Sequence, residues 1–529
     1  MNNGGKGSVL VWLKERLPIE APLEIVVKKV TYLVLVLLCI MMIACGTEVE
    51  PVSVTQSSVI KHETPFAVGS TTRFIHDGSR PYDSVAGINT GVRTLITEIW
   101  YPVDHQDVAK GQTNYRQATY GDYVFGNKAV HHLMMTETTF FHLIPATVRE
   151  DVSQEQIDAA IDELFYRPRN SFVNAPLAQG DQPWPVLVMS HGDAGSRYNM
   201  ETACEFLAGH GYVVIAPEHT GNSPYSMTGN DPALSDSEGN AEFRSKMADV
   251  LAVLGEHGTY GKREKFGQSY TPLSQNEDPI QALRDLDNSL LQRLNDLRAT
   301  LAGLDRMNGN GLFAGRLDLE RIGLFGRSYG GVTTIMGLSM EPRFTAGFSV
   351  VPPGFPDPRA ALPPQVLVEQ GTESVMLSAD GAFPLTEIKK PMLLLSGAED
   401  GLLIGISKAM ANSYGTTLPT RENPHPLIRE AYEASSAPVV WGLLADASHS
   451  ALGVSGGFWW PELKSDTQKR TFEPEVEFEL VSPKIAHKIQ RELALDFFDL
   501  TIKQIPSARE RLLDQRFADD GLKLEARNY

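Results

Sequence analysis

Cysteine is nearly absent from this sequence. Of 529 residues only three are Cys, at 39, 45 and 204, and two of them fall in or beside one short apolar run near the N-terminus, so no disulfide framework is possible. Positive charge is in deficit. Forty-seven Lys and Arg stand against 65 Asp and Glu, a net charge of −18 that repels a phosphate backbone and excludes nucleic acid as a partner. Long apolar runs are lacking as well: Leu33 to Ala44 is too short to span a bilayer comfortably, and multi-span membrane classes are disfavoured. No His-x-x-x-His pair with a carboxylate partner stands out, the adjacent His131-His132 reads as a surface or lid feature, and neither a metal nor another cofactor is implied. No internal repeat or low-complexity tract is visible.

What is present is an ordinary globular composition, 42% hydrophobic and 21% charged, enough to bury a sizeable core in one or two domains. The apolar run follows Lys28-Lys29 and reads as an export signal, residues 1–45, removed from the mature fold. Its end, Met42-Ile43-Ala44-Cys45-Gly46, resembles the bacterial lipobox, with Met42 where Leu, Val or Ile is usual. That resemblance implies lipidation of Cys45, a membrane anchor, and an extracytoplasmic place in a bacterial cell envelope; ordinary secretion or a retained single anchor are the alternatives. Residues 46–65 read as a tether and 66–529 as a single domain.

Short apolar runs rich in β formers recur along that domain. Arg93 to Tyr101 reads as a strand stopped by Pro102; Val186–Met189, Tyr212–Ala216, Ile322–Phe325, Ala346–Val351, Met392–Leu395 and Val439–Leu444 read as buried strands. Helical spacing appears between them, most clearly at Leu283, Leu286, Leu290, Leu294, Leu297, Leu301 and Leu304, with Asp278 placed to cap and Pro279 at the first helical position. Ile485–Ile502 reads as a closing amphipathic helix. Strands alternating with helices predict an α/β fold with a mainly parallel sheet. Residues 104–180 and 222–278 break the alternation and read as insertions over one rim, the first carrying a lid-like apolar stretch at Val130–Pro145.

The chemistry is carried by Gly326-Arg327-Ser328-Tyr329-Gly330-Gly331, a G-x-S-x-G turn that follows a strand and opens a helix. Such a nucleophile elbow presents its serine at the carboxyl edge of the sheet, and the small flanking residues permit the strained backbone. A serine hydroxyl needs a base within hydrogen-bond reach and a third group to orient that base, in the chain order Ser, acid, His. After Ser328 only His425, His449 and His487 remain. His425 lies between two prolines and His487 on the last helix, whereas His449 follows a strand by a short loop and is the base by placement. For the acid, the strand Met392–Leu395 breaks at Gly397 and ends in Glu399-Asp400; Asp400 is preferred, with Glu399 and Asp357 as competitors. Backbone donors for an oxyanion are expected from Tyr329 N–H and from Asp193 N–H in the turn Ser190-His191-Gly192-Asp193.

These elements, with Arg93, Ile99-Trp100-Tyr101-Pro102, Ser196-Arg197 and Gly211-Tyr212 through Glu218-His219, resemble the platelet-activating factor acetylhydrolase group of α/β hydrolases and its bacterial dienelactone-hydrolase-like relatives over most of residues 70–510. The resemblance implies an α/β-hydrolase fold and a calcium-independent, cofactor-free carboxylic ester hydrolase acting on short acyl chains such as the acetyl of phospholipids. Three positions depart from the group. Phe348 to Gly354 carries no carboxylate where phospholipid-cleaving members place their acid, Asp193 stands where an apolar residue is usual, and Arg327 replaces the commoner histidine in the elbow. The expected activity is therefore that of a serine esterase on a small ester or phospholipid; a serine peptidase and a catalytically silent surface-binding lipoprotein on the same scaffold are the alternatives.

Overall fold

The computed structural model describes residues 64–529 except 86, 110–114, 125–130, 133–134, 137–147, 227–244, 246–267, 273–275 and 370–372. The expected export signal, Cys45, nearly all of the tether and most of the lid-like stretch therefore lie outside the described residues.

The described residues form thirteen strands: β1 (Ala67–Asp77), β2 (Arg93–Val103), β3 (Gln117–Thr119), β4 (Pro168–Val173), β5 (Trp184–Ser190), β6 (Val213–Pro217), β7 (Leu317–Arg327), β8 (Phe344–Val350), β9 (Met392–Gly397), β10 (Val439–Leu444), β11 (Thr467–Lys469), β12 (Glu477–Glu479) and β13 (Leu522–Arg527). Eleven of them make one sheet in the order β13-β10-β9-β8-β7-β5-β6-β2-β1-β4-β3. The six strands from β10 to β6 in that order are mutually parallel. This is the α/β-hydrolase arrangement implied by the motifs.

The apolar runs are continuous because both faces of these strands are covered. Leu187, Met189 and Phe325 point into one core with Cys204, Leu493 and Phe497 from the helices Glu201–Gly209 (α1) and Pro483–Thr501 (α2). Val186, Val188 and Leu324 point into the opposite core with Leu297 and Ile335 from Pro279–Gly309 (α3) and Tyr329–Met340 (α4). Leu324 is fully buried there, and truncating it to Ala costs about 2–5 kcal/mol. The leucine stripe of α3 turns inward as its spacing predicts, and Asp278 accepts a hydrogen bond from Ile280 N at its start.

Three expectations are corrected. Pro102 does not stop β2: it pairs with Val68 of β1, and because β6 leaves β2 after Trp100, the strand is an edge there, where proline is tolerated. Residues 104–180 are not only a rim insertion, since they supply β3 and β4, and β4 runs parallel to β1 and extends the sheet. His131 is not a surface feature: it is buried, its Nε2 hydrogen-bonding Tyr120 Oη at 3.1 Å and its ring 4.8 Å from that of Tyr225. Among the described residues no helix is long and apolar enough to cross a membrane.

Candidate active site

Ser328 stands between β7 and α4 with φ 56° and ψ −121°, the strained turn that the G-x-S-x-G pattern predicts. A side chain at Gly330 would run into the carbonyl of Ser190, and one at Gly326 into that of Gly330, so only glycine fits on either side of the serine. The turn is held by Ser328 N–H donating to Val350 O at 2.8 Å and by Gly331 N–H donating to Ser328 O at 2.8 Å. Val351, just beyond β8, also has a positive φ of 41°, an unfavourable conformation for a β-branched residue at the edge of the site.

His449 reaches the serine from the loop after β10. Its Nε2 lies 3.0 Å from Ser328 Oγ, and its Nδ1 lies 2.7 Å from Asp400 Oδ2. The two loops are pinned together where β9 and β10 end, Ala398 N–H donating to Leu444 O at 2.9 Å and Glu399 N–H to Ala447 O at 3.1 Å. Asp400 is fully buried, whereas the His449 side chain keeps 18% of its surface exposed. Burial alone would raise the Asp400 carboxyl; the His449 imidazole, the hydrogen bond from it, His425 and the Leu403 N–H together bring it below the ordinary carboxylate range. Asp400 also caps the helix Gly401–Tyr414 (α5).

The competitors are engaged elsewhere. Glu399 accepts from Arg470 at 2.8 Å and from Thr471 N–H at 2.8 Å, and Asp357 is held by Arg359 on the surface. His487 is buried in α2 beside Thr202. His425 had no assigned place in the sequence reading, yet it is buried behind Asp400 with its Nε2 2.8 Å from Gly397 O, bracing the acid loop. Arg327 does more than tolerate the elbow, because its guanidinium donates to His449 O and so ties base and elbow together.

The loop after β5 approaches the serine closely: a side chain at Gly192 would sit 3.4 Å from Ser328 Cβ. The Asp193 carboxylate is turned into a polar cage where Oδ1 accepts from Asn222 at 2.7 Å and Gln268 at 2.9 Å, and Oδ2 from Thr271 at 3.1 Å. The N–H groups of Asp193 and Tyr329 have no acceptor among the described residues. No group of His, Cys, Asp and Glu side chains suited to a metal ion occurs among them either.

The sequence reading missed one constellation altogether. Ser190 Oγ lies 2.9 Å from His219 Nε2, and His219 Nδ1 lies 3.2 Å from Asp296 Oδ2, with all three residues fully buried. Asp296 also accepts from Arg93 at 2.7 and 3.0 Å and from Arg80 at 2.9 Å. The helical spacing of α3 marked its leucines, but nothing in that spacing marked Arg293 and Asp296 as partners of residues about a hundred positions earlier.

Platelet-activating factor acetylhydrolase of Cavia porcellus is 27% identical over 192 residues, 35% of this chain and 38% of that protein. The enzyme of that name from Bos taurus is 25% identical over 179 residues, 34% and 36% of the two chains. A putative phospholipase A2 of Schizosaccharomyces pombe is 37% identical over 70 residues, 13% of this chain and 14% of that protein. The chain thus spans little more than a third of the length of the two acetylhydrolases and less of the phospholipase. A ferulic acid esterase from Streptomyces cinnamoneus superimposes with a TM-score of 0.49 at 19% identity, covering 88% of this chain and 98% of that one. The family model for platelet-activating factor acetylhydrolase, isoform II, matches residues 56–356, which include Ser328 and end before Asp400 and His449. With more than half of its length matched, the chain belongs to the platelet-activating factor acetylhydrolase isoform II family.

Proposed function

We propose that this protein is a serine carboxylic ester hydrolase that cleaves short acyl esters, acetylated phospholipids among them, through an acyl-enzyme. The observation that carries the reading is the relay of 3.0 and 2.7 Å from Ser328 through His449 to Asp400. A neutral His449 takes the proton from Ser328 Oγ as the oxygen attacks the ester carbonyl; Asp400, accepting from Nδ1–H, holds the tautomer that leaves Nε2 free to do so. The Asp193 and Tyr329 amides receive the oxyanion, and each such donor lowers the barrier by about 3 kcal/mol. His449 then protonates the leaving alcohol, and water activated by the same imidazole releases the acid.

The lipobox-like Cys45 supports a lipid anchor in the cell envelope, testable as fatty-acid labelling of the protein that Cys45→Ser abolishes. The decisive experiment uses protein from residue 46 onward. It should hydrolyse p-nitrophenyl acetate faster than longer acyl esters, cleave a short-chain phospholipid in preference to a peptide amide, and be labelled by a fluorophosphonate at Ser328. Peptide preference would indicate a peptidase, and no labelling a silent binding protein.

A further inference from the structure

Arg293 is a buried cation for which the acyl-transfer mechanism has so far had no use. It projects from α3, is fully buried, and forms no ion pair within 4 Å among the described residues. Its partners are neutral oxygens. Nη1 donates to His191 O at 2.6 Å and to Ser190 Oγ at 3.2 Å; Nη2 donates to Gly192 O at 3.1 Å and to Asn222 Oδ1. Its guanidinium carbon also stands 4.2 Å from the centre of the Tyr329 ring. Arg293 therefore touches the ring of Tyr329 and, at Gly192 O, the peptide that carries the Asp193 N–H.

The consequence follows from peptide geometry. The chain has no cis bond among the described residues, and in a trans peptide the C=O and the N–H of the next residue point in opposite directions. Fixing His191 O and Gly192 O on the guanidinium turns the N–H groups of Gly192 and Asp193 away from Arg293. A side chain at Gly192 would sit 3.4 Å from Ser328 Cβ, so the loop that carries these N–H groups borders the serine. Asn222 closes the clamp, accepting from Arg293 through Oδ1 and donating to the Asp193 carboxylate through Nδ2. A cation bound to the carbonyl also polarises the peptide and strengthens the N–H as a donor.

We infer that Arg293 is a positioning residue of the oxyanion hole, holding the 191–193 peptides so that the Asp193 N–H faces the tetrahedral intermediate. The inference rests on the proposed ester hydrolysis. A buried charge without a counter-charge costs stability, and here it sets the direction of a catalytic amide. Its effect should therefore appear in the transition state and not in the ground state.

The test compares wild-type protein with Arg293→Lys and Arg293→Ala on p-nitrophenyl acetate. Arg293→Lys, which loses the two-pronged grip, should lower kcat about 100-fold, the size of one lost oxyanion donor, with KM within about twofold. Affinity for a trifluoromethyl ketone, which forms the tetrahedral adduct, should fall by the same factor. Guanidinium ion at millimolar concentration should partly restore Arg293→Ala. If both variants unfold, Asn222→Ala, which opens the clamp from its other end, should lower kcat about tenfold. Equal kcat in folded variants, or a loss carried by KM with unchanged ketone affinity, overturns the inference while leaving the esterase reading intact. Absence of turnover in the wild type would instead remove the parent reading, and this inference with it.

Discussion

Two hydroxyl–imidazole–carboxylate relays lie among the described residues, and they differ in almost everything except connectivity. Ser328, His449 and Asp400 come from the ends of β7, β10 and β9, with the imidazole partly open to solvent. Ser190, His219 and Asp296 come from β5, the residues just after β6, and α3, with every side chain sealed. In the buried relay Asp296 is already neutralised by Arg93, and the serine oxygen accepts from Arg293. Burial, the Arg293 charge and Arg93 outweigh the Asp296 carboxylate and push the His219 imidazole down to about 4. Such a group is a weak base at neutral pH, and no ester can reach it. The same connectivity thus occurs once with access to solvent and once sealed and charge-compensated, and in the sealed case the three groups act as a strut.

The comparison breaks most decisively at the serines. Ser328→Ala should lower kcat by about 10⁶ with an unchanged fold. Ser190→Ala should leave kcat within about threefold and destabilise by about 1–3 kcal/mol, because His219 Nε2 loses its buried partner. Comparable losses of kcat in the two variants would erase the distinction. The carboxylates should divide in the same way. Asp400→Asn should depress kcat about 10⁴-fold through the wrong imidazole tautomer, with little change in melting temperature. Asp296→Asn should instead cost about 3–5 kcal/mol in urea unfolding, since Arg93 is left without its counter-charge.

Acid sharpens the contrast further. In the unfolded chain His219 takes up a proton near pH 6.5, whereas in the fold it stays neutral down to about 4. Below 6.5 the unfolded chain therefore binds more protons, so stability is complete above 6.5 and is lost as pH falls toward 4, by up to about 1.4 kcal/mol per unit. His131 and His487, pushed down to about 3 by burial, extend the same loss to lower pH. Urea unfolding at pH 7, 6 and 5 should show the slope, and His219→Gln should reduce it by about one proton; an unchanged slope would mean that His219 is not held neutral. The smallest effect is expected at the surface, where Asp357→Asn should leave both kcat and stability within error, because Asp357 serves only Arg359. A large loss of kcat there would displace Asp400 as the acid.

Much of the solvent-accessible relay is readable from the sequence, for a local reason. Ser328 sits in a turn whose glycines are dictated by clashes within a few residues, and Asp400 and His449 follow apolar strands that announce their own ends. The choice among Asp400, Glu399 and Asp357 was not local, and it was decided by Arg470 and Arg359, which occupy the other two. The marginal strands β3, β4 and β13 escaped notice because their residues are half exposed and lack a continuous apolar pattern.

By itself, then, the sequence determined the elements whose signals are short-range: the buried parallel strands, the leucine face of α3, the strained serine turn and the order in which nucleophile, acid and base follow one another. Only the tertiary structure decided which polar groups meet across long separations. Ser190, His219, Arg293 and Asp296 converge because β5, β6 and α3 pack together, and a buried charge must take whatever partners that packing brings within hydrogen-bond reach. Periodicity records which face of an element is apolar; it does not record which charge waits on the element opposite.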